Sequence, residues 1–462
     1  MLSHEDNRTL TQVDAAAPLG RFLRRYWIPA AVSAELCEPG GAPTRVRLLG
    51  ESLVAFRDPQ GKVGLVREFC PHRGASLAYA RNEDGGLRCL YHGWKIAADG
   101  RIADAPAEPA TSHIRTRLCH DAYPVREAGG ILWAYLGPRE NEPPFPDFPW
   151  LHLPPSQLLV VKMHQDCNFL QGLEGDLDPA HPNYLHRDFD DAVKQRSWTG
   201  AGWQSINELM SDGAPAIHCE ETPYLMRVAA IRKTADPGVS YVRLTEWIAP
   251  FYTYIATGPH ESQLFKAWHP IDDFSCYTFY IHFHPSRPVD PEAIYSNWGH
   301  RTEPPLFRTP HTLANMHLQD RSLMTHGNFS GIRGAAIQDR AVQESMGPIY
   351  DRTQEHLGTS DRAVIFYRRL ILRKIREMDE GKPLPGQDPA LSYDQRAVSI
   401  AMPSDVPWEQ ARRWQEDYER AHPLSDAGAV SAAPAADAAR SSARPQPRSR
   451  AAAGPRPRTR TA

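Results

Sequence analysis

From Thr44 to Gly137 the apolar residues fall in short runs, RVRLLG, SLVAFRD, VGLVREF and ILWAYLG, set between Gly, Asp and Pro. Runs of β-formers with that punctuation predict short antiparallel strands. Ahead of them stand an amphipathic stretch, Leu19 to Trp27, and a Glu38-Pro-Gly-Gly break. A proline-dense segment, Glu142 to Pro155, reads as a linker wrapped over a surface. The domain boundary is expected there, dividing residues 1–150 (core about 27–137) from a second domain, 151–426.

Beyond the linker, Asn168 to Leu185 is helical in part. Strand-like runs follow from Leu225 to Arg232, Tyr241 to Ile248, Tyr252 to Thr257 and Tyr277 to His284. They alternate as a sheet does when one face is covered. Between Asp361 and Met378, the residues Ala363, Phe366, Leu370, Ile371 and Ile375 keep a helical period. Thr359 and Ser360 are available to cap that helix, with Gly381 and Pro383 to end it. The fold class expected is α+β.

Composition removes several alternatives. A chain of 462 residues is long enough for two or three domains, and a net charge of −3 gives no argument for nucleic acid or membrane as the main partner. Seven cysteines, an odd set in a large protein, argue against a disulfide framework and for a reducing compartment. The charged N-terminus carries no apolar targeting segment, so a cytoplasmic location is expected. From Ala427 the chain turns to Ala, Arg, Pro and Ser, with seven arginines against one acid, Asp437. Residues 427–462 have nothing to bury and are expected to be a disordered tail.

Two matched motifs carry redox chemistry. Cys70-Pro-His72-Arg-Gly and Cys89-Leu-Tyr-His92-Gly-Trp each hold one cysteine and one histidine, with sixteen residues between His72 and Cys89. Two thiolates on one iron and two neutral imidazoles on the other raise the potential of a [2Fe–2S] cluster above that of an all-thiolate one. Gly74 and Gly93 let the loop backbones come close to such a cluster. A Cys₂His₂ zinc site is the competing reading, but zinc sites usually keep both cysteines in one pair. The arrangement, with Pro71 and Trp94 beside it, resembles the Rieske family.

A cluster carrier alone needs about a hundred residues, so the rest of the chain has other work. Within NFLQGLEGDLDPAHPNYLH, Asp178, His181 and His186 follow a D-x-x-H-x₄-H spacing. Two imidazoles and a carboxylate make a facial triad that leaves iron positions open for dioxygen and substrate. A surface histidine pair is the bland alternative. Residues five apart differ by about 140° on a regular helix, so the helix must break here. Asp178 is expected to cap, Pro179 to open the next helix, and Pro182 to bias His181 away from the α region. Asp339, Glu344, Asp351 and Asp361 are the candidate carboxylates.

This spacing resembles that of the Rieske non-haem iron oxygenases, and the likeness runs along nearly the whole chain except the tail. The segments LGRFLRRYWIPAAVSAEL, CNFLQGLEGDLDPAH and QDRAVQESMGPIYDRTQEHLGTSD resemble the phthalate 4,5-dioxygenase and phenoxybenzoate dioxygenase branch. The resemblance implies an N-terminal antiparallel β domain holding a [2Fe–2S] cluster on Cys70, His72, Cys89 and His92. It implies a catalytic domain with a curved antiparallel sheet wrapped by helices (helix-grip, START-like). There His181, His186 and Asp339 would hold a mononuclear Fe(II), one per subunit. Asp339 has the alternative of merely capping its helix.

By the same resemblance Asp178 bridges a cluster histidine of one subunit to an iron-ligating histidine of the next, in a homotrimer or hexamer. The implied partner is an NADH-dependent reductase with FMN and a plant-type [2Fe–2S] centre. The implied reaction is cis-dihydroxylation of an aromatic, carboxylated substrate. Monooxygenation, O-demethylation or diaryl-ether cleavage on an aryl ether is the enzymatic alternative, and a plain electron-transfer protein the other. Arg227, Arg232 and Arg243 lie on strand-like segments and could pair with a substrate carboxylate, or could be surface charges.

Overall fold

The computed structural model describes residues 2–189, 209–210 and 212–423; the expected disordered tail lies outside them. One compact unit spans Met1–Ala421.

The punctuated N-terminal runs become three small antiparallel sheets. Thr44–Leu48, Glu51–Arg57, Val63–Arg67 and Ala122–Tyr123 pair in that order. Arg81–Glu83, Gly86–Arg88, Lys95–Ile96 and Ile102–Asp104 form a second sheet, whose middle turn carries Cys89 and His92. Trp27–Val32, Ile131–Tyr135 and Val125–Ala128 form the third. The stretch from Leu19 to Trp27 divides between helix Pro18–Leu23 and the strand beginning at Trp27.

Among the described residues, eight strands make the larger sheet. Its order is Leu158–Gln165, Cys276–Phe283, Gln263–Pro270, Tyr252–Ile255, Val239–Ile248, Leu225–Lys233 and Ala216–Glu221, with Val398–Pro403 pairing to Val239–Ile248. One face of this sheet packs on aromatic residues of the proline segment and the first domain. Phe148 lies 4.9 Å from Phe265 between ring centroids, Trp150 5.2 Å from Phe265, and Trp133 6.1 Å from Tyr252. A single hydrophobic cluster therefore joins Trp27, Trp133 and Phe148 to Tyr252 and Phe265. Beside it, the buried Lys162 Nζ sits 2.9 Å from both carboxylate oxygens of Glu35, under the Tyr277 ring.

The other face is left for the site. Helix Phe169–Leu177 lies against it, started by Asn168, whose side chain accepts from the Leu170 N–H. Its contact with strand Gln263–Pro270 is close, since a Cβ on Gly172 would come within 2.0 Å of the Trp268 ring. One turn later Asp176 accepts from Lys266 Nζ at 2.7 Å and from Trp268 Nε1 at 2.6 Å. Glu174, on another side of the helix, binds Arg352 and Arg368. Burial of these charges is offset by their pairing, and the helix end that leads into Asp178 is fixed against the sheet.

The helix predicted from Asp361 to Met378 runs Arg362–Asp379, and Gly381 ends it with φ 76°. Its cap differs from expectation. Thr359–Asp361 forms a 3₁₀ turn, Asp361 takes the N-cap position, and its carboxylate accepts from the Gly358 N–H at 2.6 Å. The turn draws Thr359 and Ser360 into itself and away from the capping position.

Candidate metal centres

The two cluster motifs fold into matching loops. The Cys70 N–H donates to the Ala75 carbonyl and the Gly74 N–H to the Cys70 carbonyl, both at 2.9 Å. In the second loop the Cys89 N–H donates to the Trp94 carbonyl at 2.8 Å and the Gly93 N–H to the Cys89 carbonyl at 3.1 Å. Equal Cys-to-Gly spacing thus gives matching turns, which bring four candidate ligands to one tip. The His72 and His92 rings stand 4.5 Å apart, and Trp94 stacks on His72 at 4.7 Å.

The residues fit a [2Fe–2S] cluster. Cys70 and Cys89 are buried, and burial pushes the Cys70 thiol up to about 11. A buried thiol pair becomes thiolate when a cation takes the proton's place. Nδ1 of His92 is buried and has no hydrogen-bond partner, as suits a nitrogen aimed at a metal and not at protein. Replacing Gly93 by alanine is expected to empty the site. Its φ of 73° is the left-handed region, costing about 1–2 kcal/mol for alanine, and the new Cβ would stand 2.8 Å from Pro106 Cγ. Iron and sulfide analysis with the visible spectrum measures the loss; full cluster content would show that the loop tolerates a side chain.

The second centre forms where helix Phe169–Leu177 breaks. Asp178 is the C-cap of that helix, and its Oδ1 accepts from the Ala180 N–H at 2.7 Å. Pro182, and not Pro179, opens the short helix Pro182–Leu185. His181 has φ −55° and ψ −34°, so the expectation that Pro182 would push it out of the α region is overturned. The break needed to bring the histidines together lies instead at Asp178, whose backbone is extended, with φ −84° and ψ 109°. His181 and His186 then flank a single turn.

Asp339 arrives from helix Ala335–Ser345. Its Oδ1 lies 3.1 Å from His186 Nε2 and 3.6 Å from His181 Nε2, and one ligand atom from each of the three residues falls within 4.8 Å of the others. The His181 Nδ1 lies 2.7 Å from the Asp178 carbonyl, and the His186 Nδ1 lies 2.6 Å from Gln338 Oε1. Each ring thereby turns Nε2 toward Asp339. Burial raises the Asp339 carboxyl, but His186 and His181 more than offset this and hold it below its usual range, while burial lowers His181. A ferrous ion bound here would take the place of the proton shared between imidazole and carboxylate, leaving neutral imidazoles beside an ionised carboxylate. The other candidate acids have other partners: Glu344 binds Arg340 and His317, and Asp351 turns back on Thr353.

A cavity opens beside the triad. Arg243, Thr245 and Trp247, alternate residues of one strand, line it together with Val228, Ile255, Leu264, Lys266 and Trp298. Of the three candidate arginines only Arg243 is a lining residue. Arg227 pairs with Glu246 at 2.5 Å and Glu220 at 2.8 Å. Arg232 is fully buried and binds the carbonyls of Pro179 and Asp212. Lys266 and Asp176, which the sequence reading passed over, also reach the cavity. A mid-strand charge among β-formers was the only signal for Lys266, and a charge on a largely apolar helix the only one for Asp176.

A family model described as the Rieske [2Fe-2S] domain matches residues 26–118, and one described as LigXa C-terminal domain like matches residues 134–428. The phthalate 4,5-dioxygenase oxygenase subunit of Pseudomonas putida is 37% identical, over 93% of this chain and 98% of that protein. The chain belongs to the Rieske non-haem iron oxygenases. This Rieske oxygenase is also 34% identical to the 3-chlorobenzoate-3,4-dioxygenase oxygenase subunit of Comamonas testosteroni, over 88% of its own length and 97% of the relative's. A crystal structure of dicamba monooxygenase superposes with a TM-score of 0.55 at 19% identity, covering 78% of this chain and all of that one, which establishes the α+β fold of a β domain followed by a helix-covered antiparallel sheet. The Rieske oxygenase is an oxidoreductase carrying a [2Fe–2S] cluster and a mononuclear non-haem iron. No helix among its described residues is long and apolar enough to cross a membrane.

Proposed function

We propose that this oxygenase component cis-dihydroxylates an aromatic carboxylate, using O2 and electrons from an NADH-dependent reductase with FMN and a plant-type [2Fe–2S] centre, in a reducing cytoplasmic setting. The observation that carries the substrate class is Arg243. Its guanidinium lines the cavity, donates to the Ala256 carbonyl at 3.2 Å, and has no carboxylate partner among the described residues. Burial lowers its affinity for its proton. Arg232 lies near enough to be affected by its charge: burial first, then Arg243, bring Arg232 down to about 10, and its buried Nη1 has no partner. A guanidinium on the cavity wall that forms no salt bridge among the described residues is a place that an anionic substrate completes.

Cys70, Cys89, His72 and His92 would hold the cluster, and His181, His186 and Asp339 the iron; when bound, these groups supply single electrons and open coordination positions for dioxygen. The chain's own residues do the rest. Arg243 would fix the carboxylate, Trp247, Ile255, Leu264 and Trp298 would clasp the ring, and the helix break at Asp178 would hold the histidines in register. The division at 1–150 and 151–426 assigns electron entry to the first part and oxygen chemistry to the second.

Asp178 is read as the bridge between subunits. Its Oδ2 lies 3.8 Å from His181 Nδ1 and its side chain is partly exposed. At the cluster tip Phe69, Tyr79, Leu90 and Tyr91 are exposed, an apolar rim suited to docking on another copy in a head-to-tail trimer or its doubled form. Asp178→Asn is expected to slow single-turnover product formation at least about tenfold with both metal contents unchanged, because a weaker acceptor joins the two histidines. A full rate in that variant would end the bridging proposal.

The experiment for the function is oxygen uptake by the reconstituted protein with a phthalate-type reductase on benzoates, phthalates and aryl ethers. Two ¹⁸O labels in one ring product are expected. A single label with formaldehyde release would establish the monooxygenase reading, and no uptake with continued electron transfer would leave an electron carrier.

A further inference from the structure

The acceptor for His186 comes from the residue next to the iron carboxylate. Gln338 Oε1 lies 2.6 Å from His186 Nδ1, while Gln338 Nε2 donates to the Ile332 carbonyl at 2.8 Å. That carbonyl also accepts from Asn328 Nδ2 at 3.2 Å. The loop holding both residues closes back on the histidine's own segment. The Phe329 N–H donates to the Arg187 carbonyl at 2.8 Å, and the Phe189 N–H to the Gly327 carbonyl at 2.7 Å. A ring of bonds therefore runs from His186 through Gln338, Ile332 and the loop to Arg187.

The ring removes a choice. An amide nitrogen must face the Ile332 carbonyl, so the amide oxygen faces His186, and Nδ1 of His186 must carry the proton. Nε2 is then the nitrogen left to face Asp339, and a metal that displaces the proton shared with that carboxylate would meet its lone pair. His181 reaches the same state through the Asp178 backbone carbonyl. Both acceptors are neutral, so Asp339 is the one anion of the three-residue group.

We infer that Gln338 is a positioning residue for the mononuclear iron, fixing the tautomer and ring plane of His186 without adding charge to the site. The inference rests on the assignment of His186 as a ligand. Its test is metal binding by the full-length protein, read by chelator competition for Fe(II) and by the visible spectrum of the Co(II)-substituted form, with the cluster spectrum as the control for folding.

Gln338→Leu is expected to weaken Fe(II) binding about 10–100-fold, the usual cost of losing an outer partner of a metal-bound histidine, and to alter the Co(II) spectrum. Gln338→Glu keeps an acceptor and is expected to bind Fe(II) at least as tightly as the wild type. A role in packing alone predicts the reverse order, because a carboxylate opposing the Ile332 carbonyl disturbs the loop more than leucine does. Wild-type binding and spectrum in Gln338→Leu would overturn the inference. So would a folded, metal-poor Gln338→Glu, which decides the matter if the leucine variant does not fold. His186→Ala separates the two levels: if it too binds metal normally, the ligand assignment itself has failed.

Discussion

Asp339→Ala is expected to abolish product formation while the visible spectrum of the Rieske cluster stays unchanged. The carboxylate supplies the one negative charge among the three candidate ligand side chains, at 3.1 and 3.6 Å from the two imidazole Nε2 atoms. Removing an outer partner of a metal ligand costs about 10–100-fold in affinity or activity, so removing the charged ligand itself costs more than about 100-fold. Asp339→Glu pushes the carboxylate about one bond further into the cavity and recovers little. The decisive measurements are iron per chain after metal loading and single-turnover yield with a pre-reduced cluster. Normal iron content and yield in Asp339→Ala would remove Asp339 from the site and leave its helix position as its only role.

Arg243→Met is expected to act in opposite directions on activity and stability. Carboxylate substrates lose a charge-assisted fork whose two bonds contribute about 3 kcal/mol, so kcat/KM for benzoates falls on the order of 100-fold. Arg243→Lys keeps the charge without the fork and falls in between. Uncharged aryl substrates, which never used the guanidinium, change little. The melting temperature is expected to rise, because the variant removes one of two neighbouring cations, the other being the buried Arg232. An equal loss on charged and neutral substrates would sink the carboxylate-anchor reading, since it would point to a collapsed cavity.

The sequence revealed local features better than distant ones. That Cys70, His72, Cys89 and His92 gather at one tip was legible because each pair lies within one turn, so spacing implies proximity. Asp339 was reachable only through the resemblance, since no local rule ties a helix to a histidine turn so far away in the chain. The arginines show how parity decides. Val228 and Ala230 line the cavity, so Arg227 must point the other way, and it meets Glu246 directly across the strand pair. Ala230 pairs with Arg243, which puts that guanidinium on the cavity side. A single strand cannot reveal which of its faces is concave; register against neighbours does. Strands Leu158–Gln165 and Gln263–Pro270 went unread for a related reason. Each carries a lysine at its middle, Lys162 and Lys266, which breaks the apolar alternation until Glu35 and Asp176 are seen to neutralise it.

The aromatic seam between the proline segment and the sheet has a consequence for electron flow. Trp133, Phe148 and Trp150 are almost wholly excluded from solvent, and any swing of the cluster-bearing part relative to the sheet would wet all three rings. Some oxidoreductases ferry charge by letting a small domain commute between donor and acceptor; the buried seam opposes that route here. Burial of the seam favours a cluster part that stays in place against the sheet. Substitutions at Trp133, Phe148 or Trp150, far from either metal, are then expected to impair turnover simply by loosening that seam.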